Sequence, residues 1–194
     1  MTKKLIVGID EVGRGPVAGP VSIGIVLCRT ELSIPELNDS KQMTEKARER
    51  VYALAETLRM SGDIEFGVYS ETADVIDQKG IEHALRSAIQ KGLHDMNIHF
   101  DEVEIKLDGR LKAPREFLQE SIIHGDSLIP AISLASVVAK VERDRYMVEE
   151  VHRAYPEYGF DAHKGYGTAA HIAAIKQNGL SPLHRVSFLR RVLG

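Results

Sequence analysis

The stretch LIVGIDEVGRGPVAGPVSIGIVL, residues 5–27, decides the architecture. Residues 5–9 form a short apolar run rich in β-branched side chains, which reads as a buried strand. Asp10 and Glu11 end that run, and glycines and a proline follow. Residues 21–27 read as a second strand, weakened at Gly24, so the two strands form a hairpin joined by a glycine-rich connection.

Working outward, Thr44 is an N-cap for the next helix, and Glu45 places a negative charge in its first turn. The reciprocal capping box is absent, because Ala47 stands where Glu or Gln would reach back. Val51, Leu54, Ala55 and Leu58 give that helix its apolar stripe. Residues 63–69 read as a strand and residues 70–96 as helix, interrupted at Gly80. Val103, Ile105 and Leu107 alternate with Glu104 and Lys106 in a strand that ends at Asp108. A short strand at 121–123 leads into His124-Gly125-Asp126. Residues 130–154 form a long helix whose first half is apolar nearly all round, so it is expected to be buried. A last helix spans 169–177, with Gly179 as its C-cap. Strands that begin as a hairpin and then alternate with helices predict a mixed sheet with helices packed on it, in the α/β or α+β range.

The 194 residues suit one domain, or one domain with an appendage, and are enough to bury a core. Hydrophobic content of 43% and charged content of 27% exclude a wholly disordered or fibrous chain. Cys28 is the only cysteine, so an intrachain disulfide and a cysteine metal cluster are both excluded. The apolar stretch after Lys3 and Lys4 is too short for a signal peptide. The apolar-rich run at 16–28 is broken by Gly19, Pro20, Ser22 and Gly24 and is too short to span a bilayer. A soluble, cytoplasmic protein is expected. Taken as a whole-chain sum, the net charge of -3 disfavours a nucleic-acid partner, but it is unevenly spread. Residues 162–194 carry Lys164, Lys176, Arg185, Arg190 and Arg191 and no acid, a charge of +5, which leaves 20 basic against 28 acidic side chains, or -8, in residues 1–161.

Acids recur at expected strand ends: Asp10 and Glu11 after the first strand, Asp108 after a central one, Asp126 after the next. Carboxylates that converge raise one another's pKa unless a cation neutralises them, and Mg²⁺ or Mn²⁺ prefers such oxygen donors. Paired divalent ions held by acids are a recurring device for phosphodiester chemistry. The alternative is that these acids are turn formers and caps, and for Asp108-Gly109 turn chemistry alone suffices.

Gly13-Arg14-Gly15-Pro16 directly follows the first acids and Val12. Its glycines let backbone N–H groups approach a phosphate or sugar, although a plain hairpin connection is the other reading. It is neither a dinucleotide fingerprint nor a P-loop, because the glycine spacing and the following strand are wrong for both. In His163-Lys164-Gly165-Tyr166-Gly167-Thr168 the ring between glycines is either an exposed stacking platform or a tyrosine packed over a loop. His163, His171 and His184 match no zinc spacing and read as scattered surface residues. Lys140, Arg143 and Arg145 either contact phosphates or form a solvated face paired with Glu142 and Asp144. Lys41, after Asp39-Ser40, is ambiguous in the same way.

Taken together, IVGIDEVGRGPVAGPV, DSK at 39–41, LDG at 107–109, GDS at 125–127, ISLASVVAKVERDR at 132–145 and YGFDAHKGYGT at 158–168 resemble the ribonuclease HII family, in its bacterial form, over nearly the whole chain. The resemblance implies a ribonuclease H-like mixed sheet flanked by helices. It implies a catalytic domain at 1–161 and a basic helical extension at 162–194 packed on it and contributing to substrate binding. The implied activity is hydrolysis of RNA in RNA–DNA hybrids and incision 5′ to single ribonucleotides embedded in duplex DNA, with two metal ions. Asp10, Glu11, Asp108 and Asp126 would be the metal-binding catalytic acids, with Mn²⁺ or Mg²⁺ as cofactor. Gly13, Arg14 and Gly15 would contact the 2′-OH and nearby phosphates, and Tyr166 would stack on the next sugar. Lys41 and Lys140 would serve the substrate phosphates. A monomer is expected, and the sequence gives no support for a replication-clamp partner. The chain departs from the family where His124 replaces a frequent Lys and Arg110 a frequent Asn, and neither change removes an acid. Two rival readings stay open: a hybrid-binding module without catalysis, which the four acids oppose, and a metal-dependent phosphatase for small esters, which would not need a ribose-reading loop.

Overall fold

The computed structural model describes residues 4–34, 37 and 43–193, with side chains through Arg190, so Lys41 lies outside the described residues. The opening stretch forms β1 (Leu5–Val12) and β2 (Val21–Cys28), paired antiparallel as expected. β1 continues past the apolar run, pairing Asp10 with Gly24 and Glu11 with Ile23. The first two acids therefore lie within a strand and not after it, because the β2 ladder holds the backbone extended through Val12.

Then come α1 (Glu45–Ser61), β3 (Ile64–Glu71), α2 (Ala73–Lys79), α3 (Ile81–Asp95), β4 (Val103–Asp108), β5 (Leu118–Ile122), α4 (Gly125–Leu128) and α5 (Pro130–Arg145). The described strands form one sheet in the order β3-β2-β1-β4-β5, antiparallel within β1–β2–β3 and parallel from β1 to β4 to β5. Thr44 caps α1, its side chain accepting from the Ala47 N–H at 3.2 Å. Three expected boundaries move. Residues 70 and 71 belong to β3, since the Ser22–Ser70 pairing extends its ladder. β5 starts at Leu118, and the long helix changes at Tyr146 to a π-helical turn through Val151 before α6 (His152–Ala154). The chain closes with α7 (Phe160–His163), α8 (Ala169–Asn178) and α9 (Val186–Leu193), and Gly179 ends α8 by donating to Ile175. Among the described residues no helix is long and apolar enough to cross a membrane.

Strand alternation sorts side chains to two faces. Val7 and Ile9 pack with Ile23, Ile25, Ile105, Leu107 and the apolar stripe of α3. Ile6, Val26 and Cys28 face the other way, onto Ala131, Leu134, Ala135 and Val138 of α5. Gly8 and Gly24 share that second face, and α5 comes so close that a Cβ on either would lie 2.2 Å from the backbone of Ala131 or Ala135. Asp10 has the parity of Gly8, so it shares the α5 side. The parallel register pairs Ile9 with Leu107, and its continuation sets Asp10 beside Asp108 on the same face.

Gly24→Ala is expected to lower stability by about 3 kcal/mol, since helix backbone must move to admit the methyl. Chemical denaturation of the purified variant measures it.

Candidate metal and nucleic-acid site

The acids meet where the β1 and β4 ends emerge beneath α5. Asp10, Glu11 and Asp108 each offer a carboxylate oxygen, and these oxygens lie within 4.8 Å of one another. Asp10 is 2% exposed. The Glu11 N–H donates to its Oδ1 at 2.7 Å, while its buried Oδ2 has no hydrogen-bond partner. Burial raises the Asp10 pKa to about 8; Ser136 opposes the rise, the charges of Glu11 and Asp108 add to it, and the Glu11 N–H again opposes it. Asp126 is buried in the first turn of α4, and its N–H donates to Asp108 Oδ1 at 3.3 Å. It is thus adjacent to the group of three without belonging to it. A desolvated carboxylate with an orphaned oxygen among other carboxylates has the donor chemistry of a hard divalent cation site.

A cleft of about 360 Å³ opens over these acids, lined also by Val12, Gly13, Arg14, Gly15, Arg48, Ser136, Lys140 and Tyr166. Glycine is required at residue 13: its φ is +81°, and a Cβ there would lie 2.2 Å from Arg143 Nε. Arg14 is half-exposed; it bonds Glu82 and lies 3.7 Å from Glu11. Tyr166 is 42% exposed, and a Cβ on Gly15 would approach its ring to 3.9 Å. Lys140 Nζ sits 5.9 Å from that ring's centroid and donates to Asp144 at 2.9 Å. The cleft therefore gathers every described residue expected from the sequence except Asp126.

Four contributors were not legible as such. Ser136 looked like one more small residue on a buried helix. Arg48 sits in the KARER run of an amphipathic helix, where nothing local marks it, yet it lines the cleft and donates to the Met43 carbonyl at 2.6 Å. Arg143, read as a surface or phosphate residue, is 2% exposed and donates to the carbonyls of Pro20 and Lys164. Arg185, counted in the basic tail, is fully buried and donates to the carbonyls of Gly13 (2.7 Å), Arg14 (3.2 Å), Pro16 (2.8 Å) and Gly19 (3.0 Å). Burial lowers its pKa to about 9, which leaves it charged at neutral pH. These guanidiniums fix the glycine loop from behind, and a fork of planar donors is suited to bond several carbonyls at once. The expectation of scattered surface histidines also fails, since His171 and His184 are buried.

The ribonuclease HII family model matches residues 7–191. The chain is 41% identical to a ribonuclease HII of Coxiella burnetii over 184 residues, covering 95% of this chain and 88% of that protein. Its fold resembles that of the structure of the PCNA:RNase HII complex from Archaeoglobus fulgidus, with TM-score 0.73, 22% identity and 93% of each chain covered. It also resembles Bst-RNase HIII crystallised in complex with Mn²⁺, with TM-score 0.68, 18% identity, and 95% of this chain and 67% of that one covered. The fold is thus ribonuclease H-like, as expected.

Because the folded state holds the Asp10 proton up to about pH 8 and the unfolded chain releases it near 3.8, the metal-free protein should lose stability as pH rises across that window. Asp10→Asn should raise the thermal midpoint measured in chelator, with the gain growing toward pH 8. Mn²⁺ should stabilise the wild type more than this variant. Arg185→Met leaves four buried carbonyls short of a donor and is expected to cost at least about 3 kcal/mol in denaturant titration.

Proposed function

The chain belongs to the ribonuclease HII family and has that family's ribonuclease activity on RNA–DNA hybrids, and we propose that it also incises duplex DNA 5′ to a single embedded ribonucleotide, leaving 5′-phosphate and 3′-OH ends. The observation that carries this reading is the joining, in one cleft, of the Asp10, Glu11 and Asp108 cluster to the Gly13–Gly15 loop. A phosphatase for small esters has no use for that loop.

Asp10, Glu11, Asp108 and Asp126 would hold the divalent ions, Mg²⁺ or Mn²⁺. Bound there, such a pair of ions supplies a nucleophilic water at neutral pH and stabilises the leaving oxygen. The protein's own residues place the substrate. Distinguishing RNA from DNA requires reading the 2′-OH, which both donates and accepts hydrogen bonds. The peptide groups of residues 13–15 carry both functions, and the two glycines add no bulk. The Arg14 side chain, within the loop, would serve the neighbouring phosphates, and so would Lys140 and Lys41. Tyr166, exposed beside Gly15 in the cleft, would stack on the sugar after the ribose. Residues 162–194 act as a substrate-binding extension of the catalytic domain at 1–161, presenting Lys176 and Arg190 to solvent.

The test is a duplex with one ribonucleotide, incubated with Mg²⁺ or Mn²⁺. Incision on its 5′ side is expected, and no incision with either ion would sink the reading. Asp108→Asn should bind that duplex yet cut it more slowly by more than about a hundredfold. Tight binding by the wild type without cutting would instead indicate a hybrid-binding module.

A further inference from the structure

Behind the Tyr166 loop, outside the acidic cleft, three histidines form a connected network. His163 stacks on His171 with centroids 4.1 Å apart, and Phe160 meets the His171 ring edge-on at 5.2 Å. His171 is 0% and His184 3% exposed. The Ser181 backbone N–H donates to His184 Nδ1 at 2.9 Å, and the Ser181 hydroxyl lies 2.8 Å from the same atom. A backbone N–H cannot accept, so His184 Nδ1 carries no proton, and in the neutral ring the proton sits on Nε2. That Nε2 lies 3.1 Å from His171 Nε2, which must then accept. The proton of His171 is thereby placed on Nδ1, which donates to the Tyr166 carbonyl at 2.9 Å. His163 follows the same logic, accepting from the Gly165 N–H at 3.2 Å and donating to the Tyr158 carbonyl at 2.8 Å. Burial lowers the pKa of His171 to about 4 and also lowers that of His184, so both stay neutral at pH 7.

We propose that His184 and His171 are positioning residues that act through the Tyr166 carbonyl, fixing that ring against Gly15 for contact with substrate. The proposal rests on the reading of Tyr166 as a substrate residue. The loop has cause to need an anchor. Lys164 and Gly165 both adopt positive φ, at +51° and +89°, and Tyr166 is 42% exposed. The Tyr166 carbonyl also accepts the Thr168 N–H at 2.8 Å, and the histidine bond ties that local turn to α8 and to the segment before α9. The relay has one direction, because its start is a group that only donates and its end a group that only accepts.

Two measurements on the full chain test this. Long-range ¹H–¹⁵N correlation spectra should show His171 protonated at Nδ1 and His184 at Nε2; the other tautomer at either ring overturns the relay. The second is steady-state cleavage, with Mn²⁺, of duplex DNA carrying one ribonucleotide. His171→Asn keeps a donor near the Nδ1 position, whereas His171→Gln moves it toward Nε2. His171→Gln should raise KM about tenfold, the order of one lost stacking contact, with kcat within about twofold, while His171→Asn stays within about threefold of wild-type KM. Equal KM for the two variants overturns the proposal, since a purely structural role would not separate them. Tyr166→Ala, assayed in parallel, should raise KM by a similar factor. If it does so while His171→Gln does not, the positioning role alone fails. If Tyr166→Ala leaves KM unchanged, the substrate reading of Tyr166 fails, and the proposal with it.

Discussion

Helix α5 rests on β1 and β2 at a separation that excludes any side chain between their backbones, through Gly8 and Gly24. This approach places Ser136 next to Asp10 and makes a roof for the acidic cluster, with Lys140 one turn further along the cleft wall. It also explains the desolvation of Asp10: a strand carboxylate covered by a helix at that distance loses its water. A helix held further off would leave a hydrated, ordinary carboxylate. The packing contact and the electrostatic property of the site therefore have the same origin.

The glycine loop and the Tyr166 loop depend on a different device, buried polar anchoring from the C-terminal segment. Arg185 grips the glycine loop by four carbonyls, and the backbone joins the same turn to that loop, Arg185 N–H to Val17 and Gly19 N–H to Leu183. Asp77 on α2 receives the N–H groups of Val186 and Ser187, fixing the start of α9. Ala18, Met147, Val151, Tyr158, Phe160, Ile175 and Leu189 form one apolar cluster, so the C-terminal segment shares a core with the strand connection it holds. A charged residue used in this way stabilises only if its donors are matched, and carbonyls engage four of the five guanidinium N–H groups.

Much of this was legible before any coordinates. The β1–β2 hairpin, the alternating strand ending at Asp108 and the buried first half of α5 each carry a periodic signal that local physics reads directly. The acidic group was legible as a recurrence of acids near strand ends, though β1 proved to run through Asp10 and Glu11. What stayed hidden was the destination of long polar side chains. Arg143 and Arg185 looked like surface cations because arginine is seldom buried, and only the topology brings carbonyls 123 and 172 residues away within their reach. His171 and His184 escaped for the same reason. Their spacing matches no metal signature, and a hydrogen-bonded pair has no sequence signature of its own. The +5 of the last 33 residues needs amending too, since Arg185 faces inward and adds nothing to the basic surface.

The inward-facing Arg185 also bears on the chemistry of the loop it holds. Two of the carbonyls it binds share a peptide plane with an N–H of the glycine loop: that of Gly13 with Arg14, that of Arg14 with Gly15. A full positive charge drawing electron density toward those oxygens leaves the paired N–H groups more acidic and better donors, because hydrogen bonds along a conjugated unit polarise one another. If these amides meet a ribose phosphate, as proposed, a buried cation has already primed them electronically. A neutral anchor of the same shape would hold the loop in place and leave those amides ordinary.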